Sequence, residues 1–249
     1  MKTIKGLLFD LYGTVVDIET DEGMEEIYRG IAHYLTYQGV YLHRWEVRDR
    51  YYRIMKEQRE QSREEHPEID VLAIWNALLL QEGMKSPVLR EGLSLTLAHL
   101  YRAISRKHLQ LYPGVKEVLD TLRPAYRMAI LSDAQPCFAL PEIRAVGLEG
   151  YFDPLVISVD CGFRKPDRRI FGKALAAMSL SPEEVIFVGN DMYRDIFGAS
   201  RLGIRTVYFD SNQGAKAYEN TSPDFTARRF EEVPEGVKAI VAQAQDRGA

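Results

Sequence analysis

Short apolar, β-rich runs alternate with helix-period segments along most of this chain. That alternation constrains its fold more than any single residue does. The runs are Gly6 to Phe9, Tyr126 to Leu131, Leu155 to Val159, Val185 to Val188 and Ile204 to Phe209. Each is short and nearly free of polar residues, as expected of a parallel strand buried on both faces. Between them, Val115 to Leu122, Arg169 to Met178 and Tyr193 to Leu202 show helical periodicity. A short helical turn near Pro182-Glu183, capped by Ser181, leads into the fourth run, and Val233 to Gln245 reads as a final covering helix. Strand and helix in alternation predict an α/β fold with a doubly wound, parallel sheet of the Rossmann-like kind.

Residues 17–111 break the pattern. Met24, Ile27, Ile31, Tyr34 and Leu35 mark one amphipathic face, and Val71, Leu72, Trp75, Leu78 and Leu79 another. Further helices are expected over Trp45 to Glu65 and Pro87 to Ser105. The segment is therefore expected to be an inserted α-helical bundle without strands, hinged near Val16 to Thr20 and Leu111 to Gly114. Residues 1–16 and 112–249 are expected to form the α/β core.

The chain has 249 residues, 46% of them hydrophobic, enough for one sizeable core and a smaller satellite. Its net charge of −4 is dispersed, which argues against nucleic acid or a membrane surface as partner and for a small-molecule substrate. No stretch approaches the roughly 18 uninterrupted apolar residues of a spanning helix. Lys5 and Asp10 interrupt the opening apolar run too early for a signal-peptide core. Cys137 and Cys161 form no CxxC pair, so reduced thiols and a cytoplasmic location are expected. The aromatic residues of the insertion (Trp45, Tyr51, Tyr52, Trp75) suit packing within it, and also a homodimer interface.

Ligands of a parallel sheet bind beyond the carboxyl ends of its strands, where loops diverge and helix N-termini point inward. The polar residues expected there are Asp10, then Ser132-Asp133, then Lys165 in Phe163-Arg164-Lys165-Pro166-Asp167, then Asn190-Asp191 with Asp195. Singly, each has an ordinary structural use as a turn former or helix cap. Together, in this order and context, they resemble the motifs of the haloacid dehalogenase superfamily over the full length of the chain. Asp10-Leu11-Tyr12-Gly13-Thr14 resembles its nucleophile loop, Ser132 its second motif, Lys165 its third, and Gly189-Asn190-Asp191 through Asp195 its acidic fourth.

The resemblance implies a hydrolase in which Asp10 forms a covalent ester or acyl phosphate that water then cleaves. It carries over Asp10, Tyr12, Thr14, Ser132, Lys165, Asn190 and Asp195 as the catalytic set. Lys165 would hold Asp10 charged and stabilise an anionic transition state. Ser132 would bind an anionic substrate group, and Asp195 would anchor Lys165 or orient water. The insertion would be a helical cap that closes over the site and selects substrate. All five histidines (His33, His43, His66, His99, His108) fall in it, leaving the core without an imidazole acid or base.

Two residues divide the chemistries. Phosphatases of the superfamily usually place a second aspartate where this chain has Tyr12, to protonate the leaving alcohol. A phenol with a pKa of about 10 replaces a carboxylic acid of about 4 poorly. The pattern Asp-x-Tyr-Gly-Thr resembles instead the (S)-2-haloacid dehalogenases, which attack carbon, release halide and need no cofactor. Asn190 likewise stands where phosphatases carry an aspartate for magnesium. A magnesium site would have to use Asp10, the Tyr12 backbone carbonyl, Asp191 and Asp195. Against the dehalogenase pattern stand Asp133, where asparagine is usual, and Phe171, where tyrosine is usual. Asp133 and one of the cap arginines, Arg53 among Arg44, Arg48 and Arg50, are the substrate-binding candidates. The leading expectation is dehalogenase-like hydrolysis at carbon. The alternatives are a magnesium-dependent phosphatase acting on a small phosphomonoester, and a binding or regulatory protein that keeps the fold with little turnover.

Overall fold

The central strand of the computed structural model, which describes residues 3–246, is β1 (Gly6–Phe9). Its pleat sends Leu7 and Phe9 into one hydrophobic cluster and Leu8 into another, so both faces are covered. In chain order there follow β2 (Val16–Thr20), α1 (Glu25–Tyr37), α2 (Arg44–Gln61), α3 (Val71–Gln81), α4 (Pro87–Ser105) and β3 (Arg106–Leu111). Next come α5 (Val115–Leu122), β4 (Arg127–Ser132), α6 (Pro136–Ala145), β5 (Leu155–Ile157) and α7 (Arg168–Met178). The chain closes with β6 (Val185–Gly189), a wide helical turn over Met192–Phe197, α8 (Gly198–Ser200), β7 (Arg205–Phe209), β8 (Phe225–Ala227) and α9 (Val233–Asp246).

The large sheet has the order β5-β4-β1-β6-β7-β8, with every pairing parallel. From β1 the chain builds outward through β4 and β5, then returns to β6 on the other side. The strand order therefore reverses at β1. Phe9 registers with Ile130 on one side and Val188 on the other, so Asp10 leaves the sheet in the crevice between two diverging loops. Edge strand β8 has three residues, too few to show a periodicity, and was not foreseen from the sequence.

Residues 17–111 form α1 to α4 around their own cluster, which includes Ile27, Ile31, Leu35, Trp75, Leu78 and Leu97. Its aromatic centre stacks Tyr51 on Tyr101 at 5.0 Å between ring centroids and sets it tilted against Trp75 at 4.8 Å. One expectation is corrected here: the insertion is not free of strands. The segment read as the first hinge is β2, and it pairs with β3, which ends at Leu111 where the second hinge is expected, in an antiparallel ribbon in which Val16 faces Leu111 and Ile18 faces Leu109. These apolar pairs recur every second residue and lie on the core cluster. That is a strand signal too brief to outweigh the charged residues between them. A second link joins the loop after α2 to the core: Glu68 N–H donates to the Gly162 carbonyl at 3.1 Å, and Arg164 N–H to that of His66 at 3.0 Å. Among the described residues, no helix is long and apolar enough to cross a membrane.

Candidate active site

Asp10 projects from the tip of β1, where its N–H donates to the Val188 carbonyl at 2.9 Å. Gly13 turns the chain back at φ 87°. A Cβ there would sit 2.3 Å from Asn190 Nδ2, so both the backbone angle and the close approach call for glycine. The turn returns Thr14 beneath the carboxylate. Its Oγ1 lies 3.1 Å from Asp10 Oδ2 and 3.0 Å from Asn190 Oδ1, so its single proton is shared between two acceptors.

Lys165 Nζ donates to Asp10 Oδ1 at 2.6 Å and to Asp195 Oδ1 at 2.7 Å, with the Leu131 carbonyl at 3.3 Å. Asp10, Lys165 and Asp195 are each at most 5% exposed. Burial pushes the Lys165 ammonium down, but the charges of Asp10 and Asp195 outweigh it, and its pKa lies above the usual lysine range. Burial raises Asp195 to about 6 against the pull of Lys165. Asp195 Oδ2 also accepts the N–H groups of Asn190 and Asp191, each at 3.0 Å. Gly189 makes room for this: a Cβ there would meet Asp195 Oδ2 at 2.5 Å. A buried triad with one more anion than cation gains little stability as such. What it provides is a fixed nucleophile with one oxygen, Oδ2, engaged only by a hydroxyl.

Asp191 is turned to another use. Its Oδ1 caps the wide turn by accepting the N–H groups of Tyr193 and Arg194, while Oδ2 takes Arg194 Nε at 2.9 Å and the Ala215 N–H at 3.1 Å. Burial would raise its carboxyl, but the Arg194 amide and guanidinium hold it below the usual range. The proposed magnesium ligands fit poorly in consequence. Both oxygens of Asp191 and of Asp195 already carry donors, Asn190 is neutral, and no cluster of three or more His, Cys, Asp or Glu side chains among the described residues is arranged to hold a metal.

Ser132 ends β4 with a buried Oγ that has no hydrogen-bond partner. Asp133 Oδ1 accepts the Lys165 backbone N–H at 3.0 Å, and its Oδ2 is buried without a partner. Tyr12 turns its hydroxyl to Glu142 of α6. Glu142 also takes Arg102 Nε at 2.8 Å, Arg102 Nη2 at 3.0 Å and Arg106 Nη1 at 3.1 Å. Burial and the Glu142 charge push the Tyr12 phenol well above its ordinary pKa.

A cavity of about 290 Å³ lies between the sheet edge and the helices, bounded by Tyr12, Asp133 and Arg194 below and by Arg59, Glu68 and Arg102 from the insertion. Arg53 is not among its walls. It bonds Gln81 Oε1 at 3.1 Å, whereas Arg102 lies on the cavity wall. Sequence reasoning missed Arg102, Glu142 and Arg194. A signal existed for Glu142, which shares a helix face with the buried Phe138, Ala139 and Ile143. A lone acid on an apolar face needs a buried cation.

Comparison with known proteins follows the same lines. A family model described as haloacid dehalogenase-like hydrolase matches residues 4–203. Relatives include a glyceraldehyde 3-phosphate phosphatase of Pyrococcus abyssi, 36% identical over 41% of this chain and 43% of that protein. They also include (S)-2-haloacid dehalogenase 4A of Burkholderia cepacia, 31% identical over 52% of this chain and 54% of that protein. The matched region thus spans about half the length of these relatives. A solved 2-haloacid dehalogenase from Pseudomonas syringae shares the fold over 95% of this chain and 99% of its own, with a TM-score of 0.66 at 20% identity.

Proposed function

The chain belongs to the haloacid dehalogenase-like hydrolase family, and on that premise we propose that it hydrolyses a small carboxylic acid at carbon, releasing halide by way of an ester on Asp10. In this reading residues 17–111 act as the cap. The supporting observation is Tyr12. Two residues beyond the nucleophile, where a proton donor would serve an alcohol leaving group, stands a phenol bound to Glu142 and pushed above its ordinary pKa. A halide departs with its electron pair and needs no proton.

Asp10 Oδ2 attacks the substrate carbon, the carbon–halogen bond breaks toward the halide, and an ester forms. Lys165 orients the Asp10 carboxylate through its hydrogen bond to Oδ1 and stabilises the charge that develops on that carboxyl during hydrolysis. Water then attacks the ester carbonyl carbon and the acyl–oxygen bond breaks. The 2-hydroxy acid leaves with one proton of that water, the other is released, and the Asp10 carboxylate is restored. Arg102 and Arg194, both on the cavity wall, supply cations for the substrate carboxylate.

Phosphate ester hydrolysis is the second reading, favoured by relatives named as phosphatases. The purified protein is to be assayed for halide release from 2-haloacids and for phosphate release from small phosphomonoesters, with EDTA and with added magnesium. Halide release unaffected by EDTA and abolished in Asp10→Asn is the expected result. Phosphate release that requires magnesium, without halide release, would replace this reading by the second. An active, folded Asp10→Asn variant would sink both.

A further inference from the structure

Asp133 is the residue whose bonding the reaction leaves incomplete. Its side chain is 8% exposed and forms part of the cavity wall. One oxygen is committed to the Lys165 backbone N–H, and the other, Oδ2, is buried with no hydrogen-bond partner. Arg194 Nη1 stands 3.9 Å from it, beyond hydrogen-bond reach. A buried carboxylate oxygen without a donor is costly, and burial pushes the Asp133 carboxyl above its usual range against the pull of Lys165 and Arg194; an occupant that supplies a donor to Oδ2 would relieve both.

The surrounding charge has the same sense. At the sheet edge the carboxylates of Asp10, Asp133, Asp191 and Asp195 are set against Lys165 and Arg194, which leaves an acidic floor. From the cap, Glu68 reaches the same cavity, its carboxyl raised by burial and in part by the Asp133 charge. Arg59 and Arg102 stand elsewhere on the wall. Charges of both signs therefore line the cavity, Asp133, Glu22 and Glu68 against Arg59, Arg102, Arg164 and Arg194. A plain haloacid offers its carboxylate to the arginines and brings no donor for Asp133 Oδ2.

We infer that Asp133 is a specificity-determining residue, and that the substrate carries a hydrogen-bond donor, hydroxyl or ammonium, that reaches Asp133 Oδ2. The inference rests on the carbon-attack reading for the substrate's carboxylate, and it names what else the substrate carries. A 2-haloacid with such a group on C3 is the smallest case, and its product is a 2-hydroxy acid with a second donor.

Product binding tests this without turnover. Lactate, glycerate and 3-amino-2-hydroxypropanoate differ only in the group on C3, and their affinities for the wild-type protein can be measured by calorimetry. Glycerate or 3-amino-2-hydroxypropanoate should bind about tenfold or more tightly than lactate, as a hydrogen bond to a charged acceptor implies. Asp133→Asn retains the Oδ1 acceptor for the Lys165 amide and replaces Oδ2 by a donor, so it preserves the loop while reversing the free atom. In that variant the preference should vanish. A preference that survives Asp133→Asn overturns the inference, as does a wild type that binds the three acids alike or binds none. Failure of halide release with the binding preference intact would count against the carbon-attack reading alone.

Discussion

Replacing Glu142 by alanine removes the one carboxylate that Tyr12, Arg102 and Arg106 converge on, and the geometry sets the size of the loss. The Glu142 side chain is 2% exposed and that of Arg102 14%, so this pair is buried, whereas Arg106 at 33% can turn toward water. Breaking a buried ion pair from one side costs about 3–5 kcal/mol, because the surviving charge has no partner. With Arg106 released to solvent, the lower end applies, about 3 kcal/mol. For a chain of this size that corresponds to roughly 6–12 °C in Tm. Thermal unfolding of Glu142→Ala, Arg102→Ala and the double variant gives the coupling directly. The double variant should be less destabilised than the sum of the singles.

The pH dependence provides a check of sign. Burial pushes the Glu142 carboxyl up, but the hydrogen bonds and charge of Arg102 outweigh it, helped by Tyr12 and Arg106, and the net shift is downward. A depressed carboxyl contributes stability above its unfolded value, about 4.3, and loses it as the pH falls through the lower folded value. The stability gap between wild type and Glu142→Gln should therefore be full at neutral pH and close as the pH drops below about 4. A Glu142→Ala cost under about 1 kcal/mol, or a gap that does not narrow in acid, would refute the claim that this carboxylate holds Arg102 by its charge.

Two further substitutions probe the centre itself. Gly189→Ala would place a methyl 2.5 Å from Asp195 Oδ2 and push that carboxylate off Lys165; turnover should fall about 100-fold, as for a misplacement of about 1 Å, and unchanged kcat would show that Asp195 does not fix the lysine. Tyr12→Phe keeps the ring but loses the hydrogen bond to Glu142. It should lower stability by about 1–2 kcal/mol and leave kcat within a few-fold, whereas abolished turnover would make the phenol a proton donor after all.

The parts legible in the sequence were those whose signal is local. A buried parallel strand must be apolar throughout, so Gly6 to Phe9 and Val185 to Val188 announced themselves, and the acids just beyond them followed from the sheet's polarity. Pairings that depend on distant partners were not legible. The β2–β3 ribbon joins residues some ninety apart in the chain, and each strand alone is too short and too charged to read as one. Glu142 and Arg102 are forty apart, and Arg102 alone is an ordinary helix residue until α4 meets α6. Asp191 shows the converse. Its place in an acidic motif suggested a metal ligand, yet the wide turn over Met192–Phe197 brings the Tyr193 and Arg194 amides onto it and converts it into a helix cap. Asp195, four residues on, received the lysine instead because Gly189 leaves it room. Two carboxylates of one motif thus divide into a structural cap and a charged anchor through backbone geometry. For this reason the chemistry of Asp10 has to be argued from which oxygens lack a charged partner, Oδ2 of Asp10, held only by the Thr14 hydroxyl, and Oδ2 of Asp133, held by none, rather than from how many acids the motif contains.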